Sequence, residues 1–163
     1  MPAFSLTAID VATPAVVETY ETAIALKYAD TAGHRGRVRA ITIAPGNAYT
    51  PRDTGVSVKL TRSSNAGDGT AANDILADIV KKDPASIASN VAAAGSEYSA
   101  EPTTYEKPIF VDTFNDRGSL RKEWHDPAEM PVWGKNQSLG ILTTIDVAGI
   151  AVQLVITVEW DEF

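Results

Sequence analysis

The chain has 163 residues, a formal net charge of −7 and a pI near 4.7, and it contains no cysteine. The absence of cysteine excludes disulfides, thiolate metal ligands and cysteine nucleophiles. The negative charge argues against nucleic acid or an anionic membrane as a partner. A chain of this length with 44% hydrophobic residues is expected to form one globular domain over residues 1–163.

No targeting or membrane segment is recognisable. The N-terminal residues contain no basic region followed by a long apolar stretch, and no run of about 18 apolar residues occurs anywhere. Internal repeats, low-complexity tracts and an interdomain linker are also not found. The sequence therefore predicts neither a standard export signal nor a membrane span.

The first part of the chain contains three segments with β character. In residues 18–28, aromatic and aliphatic side chains recur on one face of a strand, although the alanines there also permit a helix. Shorter β-rich runs follow at residues 38–44 and 56–61, with Pro and Gly between them. We expect two strands there, joined by a loop of about ten residues.

The central segment, residues 65–95, is rich in Ala, Asp and Asn and lacks β alternation. The apolar residues that form one stripe of a short helix are Ile75, Leu76, Ile79 and Val80. A second helix is expected over Pro84–Ala94, with Asp83 as its N-cap. The two helices predict an insertion between groups of strands.

The last part of the chain is loop-rich at first and then strongly β. Residues 98–131 contain several prolines and one clear strand, Ile109–Thr113. Leu139–Ile145 is a further β-rich run, and Ala151–Trp160 is apolar at every second position. A turn at Asp146–Gly149 predicts that these last two strands form a hairpin.

This succession of strands predicts a mainly β protein. A jelly-roll-like β-sandwich is the first choice, with a short helical insertion at about residues 65–95. Its last long strand would be Ala151–Trp160, buried on the face that carries Trp160.

No pattern of catalytic or metal-binding residues stands out, so we expect neither enzyme activity nor a cofactor. His34 and His125 are the only histidines, and both are best explained as turn or loop residues. Asn65–Gly69 resembles part of a calcium loop but lacks its spaced carboxylates and closing Glu. No serine lies in a Gly-x-Ser-x-Gly pattern.

Two basic clusters occur in this acidic chain. Arg35, Arg37 and Arg39 alternate at the start of a strand and are expected to project from one face. The second cluster contains Arg117, Arg121 and Lys122. Charged side chains that protect a strand edge explain both clusters, and so does docking to an acidic protein surface.

Tryptophan and methionine mark a further candidate contact region. Trp124 and Trp133 flank a proline-rich stretch that also contains Met130. Such residues can simply close the core, but on loops they also anchor interfaces. We therefore predict a protein contact formed by Arg35, Arg37, Arg39, Arg117, Arg121, Trp124, Met130 and Trp133.

Several segments resemble the jelly-roll virion proteins of tailed bacteriophages, and among these the capsid decoration, or cement, proteins. The resemblance rests on small residues, Thr/Val strands, Pro/Gly loops and an acidic β-rich end. The segments that carry it are Arg35–Ala44, Val56–Arg62, Pro131–Asn136 and Val152–Glu162.

The resemblance implies a homotrimer made in the host cytoplasm and seated on the major capsid protein at the surface of the virion. It implies stabilisation of the phage head by protein–protein contacts, without catalytic residues. An alternative of a different class is a carbohydrate- or receptor-binding β-sandwich of a phage tail. In that case exposed Tyr98, Trp124 and Trp133 would stack on sugar rings.

Overall fold

The computed structural model describes residues 1–28, 33–65, 69–85 and 88–163. These residues form strands joined by loops and one short 3₁₀ helix, Leu76–Asp78. The strands in chain order are β1 (Ala3–Ala12), β2 (Glu21–Tyr28), β3 (Gly36–Pro45), β4 (Gly55–Ser63), β5 (Thr70–Asp74), β6 (Ile79–Lys81), β7 (Val91–Ala100), β8 (Phe110–Asn115), β9 (Leu120–Glu123), β10 (Val132–Trp133), β11 (Ser138–Ile145) and β12 (Gln153–Glu162).

The strands form two antiparallel sheets. The first sheet has the order β3, β12, β1, β6, and both β9 and β10 pair with the outer edge of β3. The second sheet has the order β5, β7, β2, β11, β4, β8. The first strand of the chain, β1, therefore lies beside the last strand, β12.

Successive strands of the framework alternate between the two sheets, except that β4 and β8 are neighbours in the second sheet. β1, β12, β3 and β9 in one sheet face β2, β11, β4 and β8 in the other. This order is that of a jelly roll. The prediction of a mainly β, jelly-roll-like sandwich is confirmed.

The segment between β4 and β8 is an insertion, as expected, but the prediction of two helices within it is wrong. Among the described residues only Leu76–Asp78 is helical. Ile79–Lys81 pairs with β1, and Val91–Ala100 lies between β2 and β5. Pairing on both sides satisfies the backbone of β7, and this outweighs the helix propensity of its alanines.

Some of the predicted features in this segment lie outside the described residues. They are residues 66–68, within the supposed calcium-loop fragment, and residues 86–87, within the second predicted helix. In the part of the chain that is described, no helix is long and apolar enough to cross a membrane.

The prediction of a C-terminal hairpin is also wrong. β11 pairs with β2 and β4, whereas β12 pairs with β1 and β3 in the other sheet. The connection at residues 146–152 crosses between the sheets, and Gly149 within it has φ +80° and donates its N–H to the Ala15 carbonyl at 2.8 Å. Both strands present an apolar face to the core from opposite sides, which a hairpin within one sheet cannot do.

The core lies between the sheets. The side chains that alternate into it at the end of the chain are, as predicted, Val152, Leu154, Ile156, Val158 and Trp160. Phe4, Trp160, Trp133 and Tyr28 form a buried series of aromatic rings with successive centroid distances of 5.7, 6.3 and 5.4 Å. Burial of such large rings is a major stabilising term for the sandwich.

Residues 101–109 cross the outer face of the second sheet. The Glu101 carboxylate accepts a hydrogen bond from the Thr22 N–H of β2 at 2.9 Å, and the Tyr105 hydroxyl lies 3.0 Å from Thr22 Oγ1. The Tyr105 ring leaves no room for a Cβ at Gly140 of β11. This covering segment explains why β2 and β11 are buried on both faces.

The stacked sheets give the sandwich two lateral flanks. The β3 flank (residues 33–65 and 104–137) carries β3, β4, β8, β9 and β10, and Arg62 Nη1 of β4 donates to the Val132 carbonyl of β10 across it at 3.1 Å. The β1 flank (residues 1–28, 69–85 and 88–103) carries β1, β2, β5, β6 and β7, and Ala12 N of β1 donates to Glu97 Oε1 of β7 at 3.1 Å. Strands β11 and β12 separate the two flanks.

Candidate functional site

The predicted arginines of β3 lie on the outer face of the first sheet. Arg37 and Arg39 point outward, whereas Val38 between them is buried, as strand alternation requires. Both reach the largely buried Asp161 carboxylate of the neighbouring strand β12, with N–O distances of 3.9 and 3.5 Å. The carboxylate therefore holds two guanidinium groups together on one surface.

Strand β9 extends this surface. Arg121 of β9 lies opposite Thr42 of β3, and its Nη1 donates to Thr42 Oγ1 at 2.9 Å. The guanidinium also pairs with the Glu123 carboxylate of the same strand, with Nε–Oε1 at 2.7 Å. Arg121 is thus fixed beside the arginines of β3 while half of its side chain stays exposed.

Trp124 and Met130 lie next to Arg39. Trp124 donates its N–H to the Arg39 carbonyl at 2.9 Å, and the Val38 N–H donates to the Pro131 carbonyl at 2.9 Å. The intervening residues therefore protrude from the sheet edge beside Arg39. We call Arg37, Arg39, Arg121, Trp124 and Met130 the arginine face.

A shallow polar groove lies within the arginine face. Its lining residues are Arg39, Ala40, Lys82, Arg121, Glu123, Trp124, His125 and Glu159. Lys82 and Glu159 form an ion pair, and His125 Nε2 lies 3.6 Å from Glu123 Oε2 with 86% of its side chain exposed. Cations and carboxylates thus alternate across the groove.

Sequence reasoning did not find Lys82 and Glu159. Lys82 follows β6, whose pairing with β1 brings it over β12, where Glu159 lies. The sequence predicts a short helix in the region of Lys82, so it gives no reason to place Lys82 on the outer face of the first sheet. The outward position of Glu159 could have been read from the alternation of β12.

Two of the predicted contact residues lie elsewhere on the β3 flank. Arg35 precedes β3 and lines a pocket together with Arg62 and Lys135. Arg117 follows β8 at the end of the sandwich, where its Nε lies 3.5 Å from the exposed Asp53 carboxylate. The structure therefore does not bring all the predicted residues into one patch.

The structure corrects the prediction for Trp133. Its side chain has 0% exposure and packs between Tyr28 and Trp160 in the core. It fits there because Gly36, its partner on β3, has no Cβ that would overlap the indole ring. Trp133 closes the core and cannot contact another molecule.

The three aromatic side chains proposed to stack on sugars do not form a common platform. Trp133 is buried, and Trp124 is half-buried with its ring edge-on to Phe110 at a centroid distance of 5.8 Å. Tyr98 lies on β7 of the opposite flank, where burial and then the negative charge of Glu101 raise its pKa to about 12.

Asp116 ties the loops together at one end of the sandwich. Its buried carboxylate accepts hydrogen bonds from the Tyr49 hydroxyl, the Arg52 N–H and the Asp53 N–H at 2.8 to 3.0 Å. Burial alone would raise the pKa of this carboxyl group, but the hydrogen bonds lower it below its ordinary value. Asp116 therefore stays charged as a structural anchor.

Glu162 has the same role at the opposite end. Its buried carboxylate accepts hydrogen bonds from the Asn90 N–H at 2.9 Å, from Asn90 Nδ2 at 2.8 Å and from the Ser89 hydroxyl at 2.5 Å. Burial, and then the charge of Glu162, raise the pKa of the nearby Tyr28 hydroxyl above its ordinary value. The carboxylate links β12 to the start of β7.

Among the described residues, no group of three or more His, Asp and Glu side chains is arranged to hold a metal ion. No protein-family model matches the chain, and no curated protein matches it. The arginine face is the surface where most of the predicted contact residues meet.

Proposed function

We propose that this protein is a structural component of a phage particle, a capsid decoration protein that stabilises the head by protein–protein contacts. The observation that carries the proposal is the arginine face. It gathers three arginines on the paired strands β3 and β9, with Trp124 and Met130 in the segment between β9 and β10, and these residue types are enriched at protein interfaces.

The fold supports the same proposal. Jelly rolls build many viral capsid domains, although they also build lectins and cupins. The loops at one end are cross-linked by Asp116, so the sandwich can present a contact surface without rearranging. We expect the partners to be the major capsid protein and further copies of this chain in a homotrimer.

The carbohydrate-binding alternative has less support. A stacking platform needs exposed aromatic rings with polar neighbours. Of the three rings considered, Trp133 is buried and Tyr98 lies on the other flank from Trp124. Protein contact is therefore the function that the arginine face favours.

The test is binding of the purified protein to assembled capsids made from the major capsid protein encoded in the same genome. Capsids are sedimented with increasing amounts of the protein, and bound copies are counted by quantitative mass spectrometry. Saturable binding with a fixed number of copies per capsid is expected. A genome without a capsid protein, or no binding above background, would overturn the proposal.

Two variants give this test its specificity. Arg39→Glu combined with Arg121→Glu reverses two charges of the arginine face and should weaken capsid binding at least about tenfold. Lys107→Glu combined with Arg117→Glu is the matched control, because it reverses the same number of exposed charges away from the arginine face. It should bind as the wild type does.

A further inference from the structure

The two flanks of the sandwich carry opposite net charge. The β3 flank contains eleven Lys and Arg against seven Asp and Glu, a net charge of +4. The β1 flank contains three Lys against eight Asp and Glu, a net charge of −5. A chain with a net charge of −7 therefore has one basic side.

The fold places these charges on opposite sides of the molecule. In both sheets the strands of the β3 flank lie at one edge and those of the β1 flank at the other, with β11 and β12 between them. The two edges thus carry opposite net charge within one copy. These edges meet when the β3 flank of one copy faces the β1 flank of another.

Each flank also carries exposed apolar side chains. On the β3 flank, Ile109 is 40% exposed and Val111 is 55% exposed, and on the β1 flank Val80 is 61% exposed. Contacts between proteins combine an apolar centre with a polar rim. Both flanks therefore offer the two components that a contact needs.

We propose that copies of this chain associate head to tail, the β3 flank of one copy against the β1 flank of the next. This inference rests on the proposed function, because it specifies which surfaces meet in the expected homotrimer. Two like flanks facing each other would repel, which disfavours a two-fold symmetric dimer. A head-to-tail contact between unlike surfaces closes into a ring when each copy is rotated relative to the one before, and a trimer is the smallest ring larger than a dimer.

Charge reversal at exposed positions tests the contact. Arg35→Glu with Lys135→Glu makes the β3 flank more acidic, and Glu21→Lys with Asp78→Lys makes the β1 flank more basic. All four side chains are exposed and form no ion pair with the described residues. The quadruple variant changes the flank charges from +4 and −5 to 0 and −1, and it keeps the net charge of the wild type.

The readout is the mass in solution by size-exclusion chromatography with light scattering. The wild type should form a closed oligomer whose dissociation constant rises between about 50 mM and about 500 mM salt, because screening shortens the range of charge attraction. Each double variant should dissociate at least about tenfold more readily. The quadruple variant should also dissociate more readily, because its flanks no longer attract each other although its net charge is that of the wild type.

A monomeric wild type at low salt would overturn the inference. So would double variants, or a quadruple variant, that assemble as the wild type does while circular dichroism shows folded proteins. These outcomes are separate from the capsid test. A monomer that still binds capsids refutes head-to-tail association and supports the decoration function. An oligomer that does not bind capsids supports head-to-tail association and refutes the decoration function.

Discussion

Some charged residues of this protein anchor its structure and others form the arginine face, and Asp116 is one of the anchors. Its carboxylate anchors the loop between β3 and β4 through Tyr49 and two backbone N–H groups. Because these bonds need the charged form, the pKa of Asp116 is lowered in the folded state. Its stabilising effect is therefore present above the unfolded-state pKa of about 3.9 and is lost as the pH falls through the lower folded-state value.

This sign gives the first prediction at the residue scale. Asp116→Asn should lower the free energy of unfolding by about 1.5–3 kcal/mol at pH 7, the range for hydrogen bonds to charged groups. The difference from the wild type should shrink as the pH falls below about 3.9. Urea denaturation at pH 7 and at a pH below about 3.9 measures this difference in the free energy of unfolding. Glu129→Gln, at an exposed position, is the control. A difference that does not change with pH would refute the assignment.

Gly36 gives the second prediction at this scale. A Cβ at this position would overlap the indole ring of Trp133, which is held in the core by Tyr28 and Trp160. Gly36→Ala should therefore destabilise the fold by about 1–3 kcal/mol, the usual cost of overpacking. Gly33→Ala is the matched control, because nothing lies within 4 Å of a Cβ added there. Equal melting temperatures for the two variants would contradict this account.

The same pair shows what the sequence could predict for single residues. The outward direction of Arg37 and Arg39 follows from strand alternation, and the structure agrees. The burial of Trp133 depends on a glycine almost a hundred positions earlier, which only the pairing of β10 with β3 brings beneath it. A Trp near Pro and Met therefore resembled an interface anchor in the sequence.

At the scale of single strands, β8 forms a free edge of the second sheet and is protected. The Thr113 N–H does not bond to β4 but donates to the Asp112 carboxylate at 2.8 Å, so the edge offers one N–H fewer to another strand. Charged side chains at edges commonly prevent strand addition in this way. The side chain of Val111 is exposed on the same strand.

The corresponding prediction concerns aggregation. Asp112→Ala removes the acceptor and the charge together, and it should increase the rate of aggregation at constant stability. Asp112→Asn keeps an acceptor oxygen without the charge, so an intermediate rate is expected. Static light scattering during incubation below the melting temperature provides the measurement. If Asp112→Ala aggregates no faster than the wild type, the edge is protected by something else.

The sequence predicts strands in which apolar and polar residues strongly alternate. It does not predict strands that form only because neighbouring strands pair with them. β12 has four buried apolar residues at every second position, which identifies both the strand and its inner face. β7 contains Ala, Gly and Ser, and it is a strand only because β2 and β5 lie on either side. The prediction of a C-terminal hairpin was wrong for a related reason, since alternation identifies a strand but not the sheet that the strand joins.

At the scale of the whole molecule, composition and strand succession were enough to predict a jelly-roll-like sandwich. The charge difference between the flanks needed the strand order as well as the sequence, because only the pairing of the strands places the basic segment 33–65 at the opposite edge from the acidic segments before and after it. The sequence predicted the arginines of the arginine face. It did not predict Lys82 and Glu159, which line the groove in this face and lie far from β3 and β9 in the chain.

The position of β1 also sets a constraint on how this protein folds. Its neighbours are β6 and β12, and β12 contains residues 153–162, so β1 and β12 cannot pair until β12 has been synthesised. Contacts between residues so far apart close a long loop before any stabilisation is gained, which slows folding. We expect the β12 edge of β1 to stay unpaired during synthesis of the intervening strands, and the yield of native protein to depend on how well that edge is shielded until β12 pairs with it.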